Sequence, residues 1–358
     1  MKIGFIKCKN ESLVGLVPST VSKFVQQKIE VQIEKGAGEL SGYHDSDYSD
    51  AGASLSSRGD VLKTSDLIVT CSSIEREDLA LIGENAYVIG KFGSDNSLKE
   101  QIKNEKVKAF TLDLLPRSTI AQSMDVLSSL ASLSGYKAAL TGADNFPGYF
   151  PMMTTSAGTI PPAKVLVLGA GVAGLQAIAT AKRLGAVVQA FDVRSSVKEE
   201  VESLGAKFIE VEGSSEDDSA GGYAVQQTEA YIQKQKELIH QTAVKSDVVI
   251  TTAAIPGKKA PLLLEKQTVA AMKAGSVIVD LAADSGGNCE LTKNAETVDA
   301  DGVKIVGDSK LYNQMAKQGS LVYSNNISNF VKFVFKEGLA NIPFDNDIVS
   351  NTLIATDK

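Results

Sequence analysis

Cysteine, histidine and tryptophan are scarce here: 3, 2 and 0 among 358 residues. Cys8, Cys71 and Cys289 form no CxxC pair and are too few and too widely spaced for a disulfide scaffold, so the sequence predicts reduced thiols in a cytosolic compartment. With only His44 and His240, a His-rich metal centre is excluded, and no metal is expected. Positive charge is not in excess either. Lys and Arg number 36 against 43 Asp and Glu, a net charge of −7, which argues against a nucleic-acid partner. No apolar run approaches the roughly 20 residues that span a bilayer. The opening MKIGFIKCKN lacks the charged-then-apolar layout of a signal peptide, so direct membrane insertion and export are both unexpected.

What remains is the composition of an ordinary globular protein, 43% hydrophobic and 22% charged, long enough for two domains of roughly 150 to 200 residues. Short β-type runs (KIGFI from Lys2, EVQIE from Glu30, DLIVT from Asp66, YVIG from Tyr87, KAFTLDLL from Lys108) alternate with helix-compatible stretches such as Pro18 to Lys28. A second series starts at Lys164 with VLVLG, VVQAFDV, KFIEVE, DVVITT, SVIVDLA and KIVG. Aliphatic, weakly alternating strands of this kind suit a parallel sheet covered on both faces. Between the two series, Pro147, Pro151, Pro161 and Pro162 predict a loop. Ile327, Phe330, Val331, Val334 and Phe335 share one helical face, which predicts a helix over Ile327 to Leu339 returning to the first domain. The expected fold class is α/β: two Rossmann-like, mainly parallel domains flanking a cleft, comprising residues 1–128 plus 315–358 and residues 129–314.

The sharpest motif lies between Lys164 and Arg194. Gly169, Gly171 and Gly174 give G-x-G-x-x-G directly after an aliphatic strand, Leu175, Ile178, Ala179 and Leu184 give the next helix an apolar face, and a second strand follows Gly185. The first glycine suits a tight turn, the second close backbone approach to a pyrophosphate, and the third close helix–strand packing. Asp192 stands at the end of the second strand, at about the 20-residue spacing of the acid that accepts from an adenosine ribose. Two like unit charges about 4 Å apart repel by roughly 4 kcal/mol at an effective dielectric of 20. Half of that is still more than tenfold discrimination against a 2′-phosphate. Arg194, two residues on, softens that discrimination.

Beyond the motif, the sequence resembles the NAD(H)-binding domain I of proton-translocating NAD(P) transhydrogenase, a relative of alanine dehydrogenase. The resemblance extends from Met1 to about Leu339. It rests on PRSTIAQSMDVLSSLASLSGYKA from Pro116, PMMTTSAGTIPPAKVLVLGAGVAGLQAIATAKRLGA from Pro151, AGGYA from Ala220, TTAAIPGKKAP from Thr251 and KAGSVIVDLAADSGGNCELT from Lys273.

The resemblance implies that Arg117, Gln122 and Asp125, with Ser128 close behind, reach the nicotinamide end of the cofactor and act by positioning, with no acid or base role. A guanidinium, an amide and a carboxylate so close together suit a ribose hydroxyl and a carboxamide, while a helix cap after Pro116 is the bland alternative. The implied cofactor contacts comprise Gly169, Gly171, Val172, Gly174, Asp192, Val193 and Arg194, together with Gly222 and Tyr223 on a closing loop, Gln235 and Ala254. By ungapped placement, the Arg, Lys and His that alanine dehydrogenases use fall on Leu13, Thr70 and Lys91. All three depart from the dehydrogenase pattern, and Lys91 reads as a surface lysine. His44 reads as a surface residue and His240 as a helix-end charge.

The implied activity is Re/Si-specific, proton-translocating transhydrogenation, passing hydride between NAD(H) here and NADP(H) on a separate domain III, coupled to protons by a membrane domain II. The resemblance further implies a homodimer, peripheral on the cytoplasmic face of the inner membrane. A soluble alanine-type dehydrogenase with a rearranged site and a nucleotide sensor are the alternatives.

Overall fold

Aliphatic strands that stay buried along their whole length place the sheets of this protein at the centre of layered α/β units. The computed structural model describes residues 1–9, 11–93, 95–105, 107–211, 229–254 and 257–354. The chain divides into two compact units, Met1–Leu130 with Tyr312–Lys358, and Ala131–Leu311. Among the described residues there are two seven-stranded sheets and one two-stranded hairpin.

The first unit contains β1 (Lys2–Phe5), β2 (Glu30–Glu34), β3 (Ser54–Ser56), β4 (Leu67–Val69), β5 (Tyr87–Gly90) and β6 (Lys108–Thr111). Their order across the sheet is β3-β2-β1-β4-β5-β6, all parallel, with the C-terminal strand Leu353–Ile354 antiparallel on β6. Ile3 pairs with Val31 on one side and Leu67 on the other, so β1 and β4 flank the point where the strand order reverses. Local caps start the intervening helices: the Ser57 hydroxyl accepts from Asp60 N at 3.2 Å, and Asp95 accepts from Leu98 N at 2.9 Å.

The C-terminal helix runs Ala316–Val334, beginning earlier and ending sooner than its apolar stripe predicts. Its first half is buried through small polar residues, which leave no hydrophobic signal. Ser320 Oγ accepts from Val14 N and Ser324 Oγ from Val17 N, each at 3.0 Å, anchoring the loop after β1. Its second half carries the predicted face, with Phe330 and Phe335 edge-on to Phe110 of β6.

The second unit opens with a hairpin, β7 (Met153–Thr155) and β8 (Gly158–Ile160), inside the proline-rich segment that reads as a loop. Then follow β9 (Lys164–Leu168), β10 (Val187–Phe191), β11 (Lys207–Phe208), β12 (Val248–Thr251), β13 (Val277–Asp280), β14 (Glu296–Ala300) and β15 (Val303–Gly307). The order is β11-β10-β9-β12-β13-β15-β14, parallel except for β14, so the sequence order reverses between β9 and β12. β14 is not legible in the half-exposed ETVDA. Its turn is: Asp301 and Gly302 both have positive φ, as a two-residue hairpin turn requires.

The cysteine expectation is corrected by the fold. Because β1 and β4 are neighbours, Cys8 and Cys71, 63 residues apart in sequence, lie side by side and are joined by a disulfide, with a Cα–Cα distance of 5.9 Å. Spacing along a chain says little about distance once crossovers return strands to the same sheet. Cys289 remains a buried free thiol.

Candidate nucleotide site and the first-unit loop

The cradle is built where β9 turns into the helix Val172–Arg183. Gly169 has φ +102°, and its N–H donates to Phe191 O at 2.8 Å. A side chain is excluded there on two grounds, since a Cβ would also lie 2.6 Å from Thr252 Oγ1. At Gly174 a Cβ would stand 1.8 Å from Gly169 O, so the helix runs hard against the turn. Gly171, the residue preceding the helix, is the contrast: a Cβ there would meet nothing within 4 Å. Bare backbone therefore faces open space beside a helix N-terminus, which fits a pyrophosphate. Val172 is exposed at the first helical position.

Asp192 follows β10, its side chain 7% exposed. Its Oδ2 accepts from Ala170 N, inside the glycine motif, at 2.7 Å, which ties the acid to the cradle. Arg194 holds the same carboxylate: Arg194 N and Nε donate to Oδ1 at 2.9 and 3.0 Å, and Nη2 donates to Oδ2 at 3.0 Å. The hydrogen bond to Asp192, with its charge, raises the guanidinium pKa although burial opposes it. Val193 between them is exposed.

Three residues without a predicted role complete this side of the second unit. Thr252 Oγ1 donates to Gly169 O at 3.1 Å. The fully buried Asn288 accepts from Ala253 N at 3.0 Å and donates to Ala253 O at 2.8 Å, fixing the segment that carries the exposed Ala254. Asn288 is itself oriented by the buried Asp280, whose Oδ2 accepts from Asn288 N, Cys289 N and Thr292 Oγ1. The run DLAADSGGNCELT contains Asp280, Asn288 and Thr292, so their signal was present; a role for each requires the fold. Gln235 lies half-buried on the helix Glu229–Ala243. Gly222 and Tyr223 lie outside the described residues.

Arg117, Gln122, Asp125 and Ser128 belong to the first unit. Asp125 stands just before the helix Val126–Asn145 and caps it, Oδ1 accepting from Ser128 N at 2.9 Å and Oδ2 from Ser128 Oγ at 2.5 Å. The preceding turn Ala121–Met124 is clamped by Asn326 and Asn329, which both donate to Ser123 O. Arg117 and Gln122 stand exposed on this clamped stretch. The cap reading therefore holds for Asp125, and the same rigid turn presents Arg117 and Gln122.

Leu13 and Thr70 are buried. Lys91 is not a surface lysine: its side chain is 17% exposed, pairs with the 2% exposed carboxylate of Glu11 at 3.6 Å and lies over the Tyr312 ring. Tyr312 OH donates to Glu11 at 3.0 Å. Burial of Glu11 in a loop is what a single sequence does not reveal. His44 is exposed just before a short helix, and the His240 ring meets Thr268 Oγ1 at 2.9 Å. Among the described residues, no cluster of His, Cys, Asp and Glu could hold a metal, and no helix is long and apolar enough to cross a membrane.

A doubly wound sheet with this glycine cradle and acid, joined to a second sheet of the same strand order, defines a nucleotide-binding oxidoreductase of the Rossmann type. Residues 7–134 match the alanine dehydrogenase/PNT N-terminal domain and residues 138–358 the alanine dehydrogenase/PNT C-terminal domain. The chain belongs to the alanine dehydrogenase/PNT family, whose members work on nicotinamide nucleotides. It is 43% identical to an NAD(P) transhydrogenase subunit alpha chain of Rhodospirillum rubrum, over 92% of this chain and 89% of that one. It is 38% identical to NAD(P) transhydrogenase subunit alpha of Haemophilus influenzae, over 98% of this chain and 69% of that one. The crystal structure of a transhydrogenase from Sinorhizobium meliloti superimposes with a TM-score of 0.87 at 39% identity, covering 98% and 97% of the two chains. An L-alanine dehydrogenase structure shares the fold, with a TM-score of 0.81 at 24% identity over 99% of this chain and 94% of that one.

Proposed function

We propose that this chain is the NAD(H)-binding component of a proton-translocating transhydrogenase. It passes hydride to NADP⁺ held by a separate domain III, while a membrane domain II couples the transfer to proton movement. The observation that carries the reading is a contrast between two sets of residues. The dinucleotide cradle, Gly169 to Gly174 with Asp192, is complete. At the positions matching the dehydrogenase substrate groups stand a buried Leu13, a buried Thr70 and a Lys91 tied to Glu11. Oxidising an amine or alcohol releases a proton along with the hydride and calls for a general base, whereas transfer between two nicotinamides calls for neither base nor substrate clamp.

The nicotinamide ring supplies the hydride chemistry when bound. The residues of this chain bind and orient. Backbone amides at the start of Val172–Arg183 hold the pyrophosphate, Asp192 selects the unphosphorylated ribose, and Arg117 and Gln122 direct the nicotinamide half. Gly222, Tyr223, Gln235 and Ala254 border the nucleotide in this reading. Catalysis then rests on positioning. The chain acts as a homodimer, peripheral on the cytoplasmic face of the inner membrane through its partners.

The test mixes the purified chain with a competent NADP(H)-binding domain III and both nucleotides. Transhydrogenation only in the mixture supports the reading, and none in the mixture defeats it. Sustained NADH oxidation by the chain alone with pyruvate and ammonium would establish the dehydrogenase alternative instead.

A further inference from the structure

The first unit has its own strand-order reversal, between β1 and β4, and in open parallel sheets the crevice outside the carboxyl ends at such a point is where ligands sit. Here the Cys8–Cys71 disulfide occupies that position, Cys8 just beyond β1 and Cys71 just beyond β4. The two sulfurs differ in access. Cys8 lines a cavity of about 700 Å³ that it shares with Lys7, Glu11, Ser12 and Arg58, whereas Cys71 is fully buried and lines none of it. The surroundings suit both separated forms. Cys71 N–H points at Cys8 Sγ from 2.9 Å, placed to stabilise a thiolate on Cys8, and Leu13 O lies 3.1 Å from Cys71 Sγ, placed to accept from a thiol there.

We propose that Cys8–Cys71 is an exchangeable thiol–disulfide site, attacked at Cys8 by low-molecular-weight thiols that enter through this cavity. In reduction, a thiolate RS⁻ attacks Cys8 Sγ, the Cys8–Cys71 bond breaks, and Cys71 leaves as a thiolate that takes a proton and donates to Leu13 O. A second RS⁻ attacks the R sulfur of the mixed disulfide and releases RSSR and the Cys8 thiolate. Two electrons pass from two thiols to the protein, whose two sulfurs end as thiols. Oxidation by RSSR is the reverse, with Cys8 as nucleophile and Cys71 as the resolving thiol. Cleavage unties the segment after β1 that carries Glu11 and Leu13 from the end of β4.

The test uses the native full chain with glutathione as probe, followed by alkylation in denaturant and intact-mass measurement. After oxidised glutathione the chain should take one alkyl group, on Cys289, and after reduced glutathione under native conditions three. Cys71→Ser treated with oxidised glutathione should carry one glutathione on Cys8, and Cys8→Ser should carry none on Cys71. Brief exposure of the wild-type chain to limiting reduced glutathione, acid quenching and peptide mapping gives the same assignment should a variant fail to fold. Three alkyl groups after oxidation, one after native reduction, or glutathione found on Cys71 would each overturn the proposal.

Discussion

Arg194 fills the carboxylate of Asp192. A carboxylate offers about four acceptor positions. Arg194 N and Nε take two on Oδ1, and Arg194 Nη2 and Ala170 N take two on Oδ2. A ribose diol can use this acid only by displacing the guanidinium, because the other two donors are backbone. The side chain of Arg194 thus competes with the nucleotide it borders, and once displaced it is a cation beside the 2′ position.

Arg194→Ala is expected to tighten NADH binding. Breaking a partly exposed ion pair costs up to about 1 kcal/mol, so relief of that competition corresponds to roughly a fivefold lower Kd. NADPH should gain nothing, since a partner for its 2′-phosphate is lost. Paired titrations of the variant with both nucleotides check this; equal changes for the two would refute the competition.

The motif glycines separate folding from binding. Gly174→Ala places a Cβ against Gly169 O and should cost about 1–3 kcal/mol of stability, seen as a lower urea midpoint. Gly171→Ala meets no protein atom, so the midpoint should stay put while NADH affinity falls at least tenfold. An unchanged affinity would mean that no phosphate approaches Gly171.

Removal of the Lys91 cation leaves Glu11 buried beside Tyr312. Lys91→Met is expected to lose about 3 kcal/mol of stability, and Lys91→Met with Glu11→Gln to recover most of it. Additive losses in the urea midpoints of this cycle would show that the two side chains are not coupled.

The disulfide closes a long loop, and the chain-entropy contribution for a separation of this size is about 4 kcal/mol. Reductant should therefore lower the urea midpoint of the wild-type chain but not of Cys8→Ser. Cys289 should behave differently from both. Burial raises its thiol pKa, so less thiolate is present at any given pH, and iodoacetamide at about pH 8 should spare it until the chain unfolds.

The parts legible in the sequence are those whose physics is local. β9, its glycine turn and the following helix announce themselves because buried strands are aliphatic and the turn tolerates only glycine at Gly169 and Gly174. The Asp301–Gly302 turn is equally local, although its strand β14 is half-exposed and blends into loop. Other features are set by partners distant in the chain. Ser320 and Ser324 bind the loop after β1 through a helix face with no apolar stripe, and Asn288 acts through backbone near residue 253. Cys8 meets Cys71 only because crossovers bring β1 and β4 together. Asp192 is the mixed case: its position follows from spacing, but its complete engagement by Arg194 is a matter of side-chain geometry.

Asp192 also gives the most direct test of the central claim, that this is an NAD(H) component. The measurement is an equilibrium titration of the purified chain with NADH and with NADPH, repeated for Asp192→Ala. The account predicts a clear NADH preference in the wild-type chain that narrows at least tenfold in the variant. Tighter binding of NADPH than NADH, or binding of neither, would contradict it.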